Sequence, residues 1–271
     1  MSDTFPSIDL STISADYASR KFRLGLVGKP GTGKTWSMMS FPKPHTILDY
    51  DNKLSQHYGK SGYNIIPMWN NKWLKEKYPV KLCKDKIKAS VRDITIDWLE
   101  THGEHLDPNS TLGFDSWTFF QQALDEQLDN EPPKNKWGKE DGYAWWLEKG
   151  KDSMKVLTLL KNLPCHVVVT FHELPERDDE GVETGIIKPM MQGNVKDRIG
   201  GAFSDFYRQV RRPKDSGNKN PLFQKEDTYW WQVTANSAYD PITSRPFKHT
   251  VSLKDDTQYI RADFSSLIAP E

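Results

Sequence analysis

Eight residues early in the chain, Gly28-Lys29-Pro30-Gly31-Thr32-Gly33-Lys34-Thr35, follow the pattern G-x-x-x-x-G-K-[ST]. The pattern is a device for holding phosphate. Its glycines let backbone N–H groups turn inward around phosphate oxygens, and a helix starting at its end adds partial positive charge. Lys34 is expected to reach the β- and γ-phosphates of ATP, and Thr35 to ligate Mg2+. Trp36 follows directly and completes the expected nucleotide-binding set, Gly28 to Trp36.

A phosphate loop needs a carboxylate for the metal and a group to orient water. Asp115 ends the short apolar run Leu112-Gly113-Phe114, where a carboxylate sits beside the phosphate loop and holds Mg2+. Asp115 and Ser116 are equally suited to capping the helix that follows. Asp49 and Asp51 close a second run, Thr46-Ile47-Leu48. Ligands gather at the carboxyl ends of parallel strands, so one of the two can approach the γ-phosphate and polarise a water. Asp51 is the choice for that role, against the plainer reading of a polar turn. His172 follows the run His166–Phe171. It reads as a γ-phosphate sensor or as a local hydrogen-bonding residue.

The elements that must carry these groups are legible as alternating runs. Phe22–Val27 is an apolar strand ending at Gly28, and a helix from Lys34 to about Ser40 is stopped by Pro42 and Pro44. Thr46–Leu48 and Leu112–Phe114 are short strands. Helices are expected over 91–102, 117–128 and 143–163. His166–Phe171 (HVVVTF) has no polar alternation, as suits a central parallel strand. Strands alternating with helices imply an α/β fold with a mostly parallel sheet. Residues 174–201, charged and Gly-rich, read as a long loop. TYWWQVTA and HTVSL, within 228–260, read as antiparallel strands added at the edge. The division expected is a polar arm over 1–20, a core over 21–210, and a β-rich C-terminal extension over 211–271.

The 271 residues include 37 Lys plus Arg and 37 Asp plus Glu, so net charge is zero. Neutrality argues against a protein that coats nucleic acid by bulk charge. It is nevertheless a sum over opposed segments. Residues 71–90 carry seven Lys against two acids, and 208–225 carry six basic residues against one acid. Residues 91–131 hold ten acids and one Arg, and 173–183 hold six acids and one Arg. Aromatics accompany the lysines around 71–90 and 134–155, where Trp137, Tyr143, Trp145 and Trp146 stand. Basic patches with aromatics suit a single strand of nucleic acid, while packed Trp and solvated charge are the ordinary alternative. No run approaches the roughly 18 apolar residues of a membrane span. The first twenty residues lack a secretion-signal core. Only Cys83 and Cys165 occur, which fits a reducing cytoplasm.

Taken together, GKPGTGKT, FPKPHTILDYDNK, LGFDS, VVVTFHE and FSDFYRQV resemble the RecA-like P-loop ATPase core. They look closer still to the phage nucleotide-binding proteins that include RecA-like single-strand-annealing ATPases. The resemblance covers about residues 21–250. It implies an Mg-dependent ATPase with Asp51 where such enzymes usually carry a catalytic glutamate and His172 at the polar switch position. It implies a DNA-contacting loop over 174–202, and an Arg from a neighbouring subunit near the γ-phosphate. Arg245 is matched to that Arg, with Lys248 second. It further implies single-stranded DNA as partner, a ring or filament of identical subunits, a single-strand-binding protein, and a phage source acting in host cytoplasm through recombination, annealing or repair. The acidic start of the loop, LPERDDEGVE, would repel DNA and points instead to another subunit or a protein partner. The competing readings are a P-loop ATPase acting on protein assemblies and a small-molecule kinase. The kinase would carry an Arg-rich lid, and Arg211-Arg212 is the one adjacent pair.

Overall fold

A computed structural model describes residues 21–70, 72–74, 90–191, 199–212, 228–233 and 259–268. The expected arm, the lysine-rich stretch 75–89, HTVSL, Arg245 and Lys248 lie outside the described residues.

The apolar runs become strands: β1 (Arg23–Gly28), β2 (His45–Asp49), β3 (Tyr63–Pro67), β4 (Thr111–Asp115) and β5 (His166–Arg177). β6 (Glu183–Pro189), β7 (Asp205–Arg212), β8 (Thr228–Gln232) and β9 (Tyr259–Arg261) follow. The helices are α1 (Lys34–Met39), α2 (Val91–His102), α3 (Trp117–Asn130), α4 (Gly142–Asn162) and the short α5 (Ser265–Ile268). The sheet order is β3-β2-β4-β5-β1-β7-β8-β9, with β6 paired to the far end of β5. From β3 to β7 every pairing is parallel, and β8 and β9 add antiparallel strands at the edge. The fold is α/β with a mostly parallel central sheet and added β strands, as in a RecA-like P-loop core.

β5 shows why the sheet is buried on both sides. Successive side chains of a strand face opposite ways. Val167, Val169 and Phe171 enter one apolar cluster with Phe114, Trp117 and Phe120. Val168 enters the other with Leu24, Leu26, Met38 and Trp231. α2, α3 and α4 supply the first layer, and α1 the second. α3 buries Trp117, Phe120, Leu124 and Leu128, the spacing of one helix face. Ser90 starts α2 by accepting from the Asp93 N–H, while its hydroxyl donates to the Asp93 carboxylate. Asp141 starts α4 by accepting from the Tyr143 and Ala144 N–H groups.

The long loop expected over 174–201 is, in its first half, a β-hairpin. β5 runs on to Arg177 and β6 returns antiparallel to it. The turn is built by Asp178, whose carboxylate accepts from the Glu180 and Val182 N–H groups, and by Gly181 at φ +82°. The acidic residues that read as loop are this turn and its flanks. β3 was not foreseen, because Tyr-Asn-Ile-Ile-Pro is too short to stand out without its partner β2.

Arg23 fastens the start of this assembly. Its guanidinium donates to the carbonyls of Lys161 (3.1 Å), Cys165 (2.6 Å), Phe22 (3.2 Å) and Leu163. It therefore satisfies carbonyls left over at the end of α4 and fixes where β5 begins. Arg23→Met should lower the free energy of unfolding by about 1–3 kcal/mol. Urea titration followed by tryptophan fluorescence measures this.

Candidate functional site

The register places the chemistry on one level. Gly28 pairs with His172 across β1 and β5, Val27 with Arg208 across β1 and β7, and Asp49 with Asp115 across β2 and β4. β5 lies between the strand that launches the phosphate loop and the strand that ends in Asp115. Residues leaving β5 therefore face both.

The loop is shaped by close approach. Gly33 opens α1 at φ +86°, and a Cβ there would lie 2.7 Å from the Tyr229 ring of β8. A Cβ on Gly28 would lie 2.7 Å from the Gln209 carbonyl oxygen. Neither position admits a side chain. Gly31 has φ +78° and, like Lys29 and Pro30, is exposed, and Thr32 closes the turn by donating to the Lys29 carbonyl at 2.8 Å. Lys34 is buried and donates to the carbonyls of Gly28 (2.7 Å) and Lys29 (2.9 Å). Burial lowers its pKa to about 8, against the pull of the Asp115 carboxylate.

Below the loop sits Asp115, 2 % exposed. Its two oxygens accept from the Thr35 hydroxyl at 2.7 Å and from the Thr170 hydroxyl. Burial raises its pKa, and the Asp51 charge adds to this; Thr170, Thr35 and Lys34 oppose both. Asp51 keeps one oxygen on Lys53 at 2.6 Å, and its other oxygen is buried with no hydrogen-bond partner among the described residues. Asp49 is fully buried, accepts from the Tyr58 hydroxyl at 3.2 Å and likewise has one unpartnered oxygen. Burial first, then the charges of Asp115 and Asp51, push its pKa up to about 6.

His172 projects from β5 with its N–H donating to the Thr118 hydroxyl and its ring edge-on to Phe119 at 5.5 Å. Burial, with the Lys34 and Lys53 charges, lowers its pKa to about 4, so the ring is neutral at pH 7. The next residue, Glu173, has a side chain only 3 % exposed. It accepts from Arg208 at 3.2 and 3.4 Å and approaches Lys29 at 3.9 Å. Trp36 is exposed on α1 against Tyr229, at 5.8 Å between rings. Beside it a cleft of about 570 Å³ is lined by Thr35, Trp36, Lys53, Leu54, His57 and Tyr63, among others.

The structure thus gathers the phosphate loop, Asp51, Asp115 and His172 of the sequence reading around one centre. Sequence reasoning missed Thr170, Glu173, Arg208 and Lys53. Thr170 had a signal, as the one hydroxyl within HVVVTF. Arg208 had none, since its partner lies 35 residues away.

The donor set suits Mg2+. A hydroxyl and a carboxylate share one hydrogen bond, and unpartnered carboxylate oxygens lie nearby. Among the described residues no group of three or more His, Cys, Asp or Glu forms a metal cage.

No helix among the described residues is long and apolar enough to cross a membrane. Among curated proteins none matches the chain. Solved structures give fold-level likeness only. One is a prototypical ATPase from the type III secretion system of pathogenic bacteria, at 13 % identity and TM-score 0.39, covering 69 % of this chain and 51 % of that one. Another is the assembled ATPase EscN of the enteropathogenic E. coli type III secretion system, at 13 % identity and TM-score 0.38, covering 70 % and 43 %. The chain thus spans about half the length of these proteins. The DNA-directed expectations are corrected by these findings. The family match is to an AAA domain, which supports a P-loop ATPase and gives no support to single-stranded DNA, a single-strand-binding protein, annealing, recombination or a phage source. The segment expected to meet DNA begins as a hairpin with an acidic turn, which would repel phosphate. The model of the AAA_24 family, described as an AAA domain, matches residues 20–228, well over half of the chain, and the protein belongs to that family of P-loop ATPases.

Proposed function

We propose that this site binds Mg-ATP and hydrolyses it, and that the energy is spent on protein assemblies. The observation that carries the reading is the buried junction of Thr35, Asp115 and Thr170 beneath Lys34. Gly31 to Thr35 supply N–H groups to the phosphates, and Lys34 exchanges its loop carbonyls for β- and γ-phosphate oxygens. Thr35 and Asp115 hold Mg2+, which when bound would neutralise charge on the phosphates. Trp36 and its cleft take the nucleoside. Asp51 places the attacking water. Its unpartnered oxygen is available to accept a proton, whereas both oxygens of Glu173 are held by Arg208. His172, neutral, offers a ring N–H to the γ-phosphate. Arg245, or Lys248, remains the candidate cation from a neighbouring subunit. Action on protein is favoured by the acidic hairpin, because it is rooted at His172 and Glu173.

Two measurements test the site. Burial lowers the free Lys34 amine to about 8, and a bound phosphate would raise that value. ATP affinity in EDTA should therefore be flat below about pH 8 and weaken by up to roughly tenfold per pH unit above it. Lys34→Ala should bind roughly 10- to 100-fold more weakly and lose this pH dependence. A wild-type affinity unchanged at high pH would contradict the phosphate role of Lys34. Second, Asp51→Asn should lower kcat about 100-fold while the ATP Kd stays within about threefold. Steady-state phosphate release decides this, and a normal rate in Asp51→Asn would remove Asp51 from the water-placing role.

A further inference from the structure

Exposed apolar groups on this protein are concentrated. Of the twelve large apolar side chains exposed among the described residues, five lie between Trp137 and Met154, and three lie on the β5–β6 hairpin. Patches of this kind mark interaction surfaces more often than chance exposure does.

The first patch is a preformed shelf. Residues 133–141 fold into a tight turn, in which the Asn135 carboxamide accepts from the Trp137 and Lys139 N–H groups. Trp137 stands at its tip, 72 % exposed, with the Lys136 ammonium 4.4 Å from its ring. The turn leads directly into α4, where Tyr143, Trp146, Leu147 and Met154 are all exposed. Their spacing puts them on one helix face. The adjoining face buries Lys149, Ser153, Val156, Leu157 and Leu160 against the body. Lys149 pairs with Asp125 of α3 and lies 5.1 and 5.5 Å from the rings of Trp145 and Trp146. The shelf is therefore fixed before anything binds to it, and Lys134, Lys136 and Lys139 outnumber Glu140 and Asp141 in its turn, with Lys136 and Lys139 flanking Trp137 at the tip.

The second patch has the complementary chemistry. The hairpin exposes Leu174, Val182 and Met190, and its turn carries Asp178, Asp179 and Glu180, all exposed. Its root is held at the nucleotide site. The His172 carbonyl accepts from the Met190 N–H at 2.6 Å, and Thr118 links both strands by accepting from His172 and donating to Met190.

We infer that the acidic hairpin of one subunit docks on the Trp137–Met154 shelf of the next, so that a second copy of this chain is the occupant of both patches. Apolar groups meet apolar groups, and the acidic turn meets the lysine-bearing tip. Aromatic anchors inside a charged rim are the usual anatomy of a specific interface. The two surfaces differ, so the contact is head-to-tail and propagates into a ring or a filament. On the ATP reading proposed above, the hairpin root touches the residues that would face the γ-phosphate. The interface therefore reads the nucleotide state of the subunit that supplies the hairpin. The contact does not require hydrolysis and so stands apart from the catalytic roles assigned above.

Charge reversal tests the contact in the full chain. Assembly is followed by sedimentation velocity with a non-hydrolysable ATP analogue and Mg2+, and nucleotide binding is read separately with a fluorescent ATP analogue. Asp179→Lys with Glu180→Lys should weaken assembly about tenfold or more, and so should Lys136→Glu with Lys139→Glu. The chain with all four reversals should assemble again, because each reversed hairpin then meets a reversed shelf. Trp137→Ala should weaken assembly without altering nucleotide binding. The inference is overturned if either pair of reversals leaves assembly unchanged, if the fourfold variant fails to recover, or if the wild type stays monomeric while it binds the nucleotide analogue. Loss of nucleotide binding in the wild type would instead count against the ATP reading alone.

Discussion

Burying a carboxylate costs several kcal/mol unless hydrogen bonds or a neighbouring charge answer it, and Asp115 is answered from three directions. Thr35 reaches it from α1, Thr170 from β5, and the Lys34 ammonium stands above. These contacts tie the phosphate-loop helix to two strands that are not its sequence neighbours. The order β4-β5-β1 is what makes this possible, because it puts Thr170 of β5 between the loop and the acid. Were β4 next to β1, Asp115 would lose its second donor and His172 would face away from the phosphate side. The apolar run HVVVTF in turn holds β5 in place, filling both core layers.

A second consequence concerns charge. Asp49, Asp51 and Asp115 crowd one end of the sheet; beyond the effect of burial, the charges of Asp115 and Asp51 raise the pKa of Asp49, and that of Asp51 raises the pKa of Asp115. Lys34 and Lys53 offset this only in part, since Lys34 is itself held near 8 by burial. A site so arranged favours a divalent cation that relieves the crowded carboxylates and a polyphosphate that re-pairs Lys34. On the proposed reading, the free protein keeps the groups in position at an electrostatic cost that ligand binding would relieve.

Much of this was readable in the sequence, for local reasons. GKPGTGKT, the strand-ending Asp115 and the run before His172 depend on spacings of a few residues, and the strands and helices that carry them were recovered closely. What escaped depends on distance along the chain. Tyr229 over Gly33, Arg208 on Glu173 and Arg23 on the carbonyls after α4 join segments up to 196 residues apart, and no local pattern encodes them. The hairpin was misread because an acidic, Gly-containing stretch looks like a loop until its flanks are seen to pair. The DNA reading failed in a related way. Lysines and tryptophans near one another in sequence suggested base stacking, but Lys149 is buried and paired with Asp125 of α3 rather than offered to solvent.

The central claim is that Asp115 links metal, phosphate loop and sheet. Calorimetric titration of ATP into wild type and Asp115→Asn, each with Mg2+ and with EDTA, tests it most directly, with circular dichroism confirming that the variant is folded. Mg2+ should tighten ATP binding to the wild type and leave binding to Asp115→Asn nearly unchanged. An equal gain from Mg2+ in both proteins would contradict it.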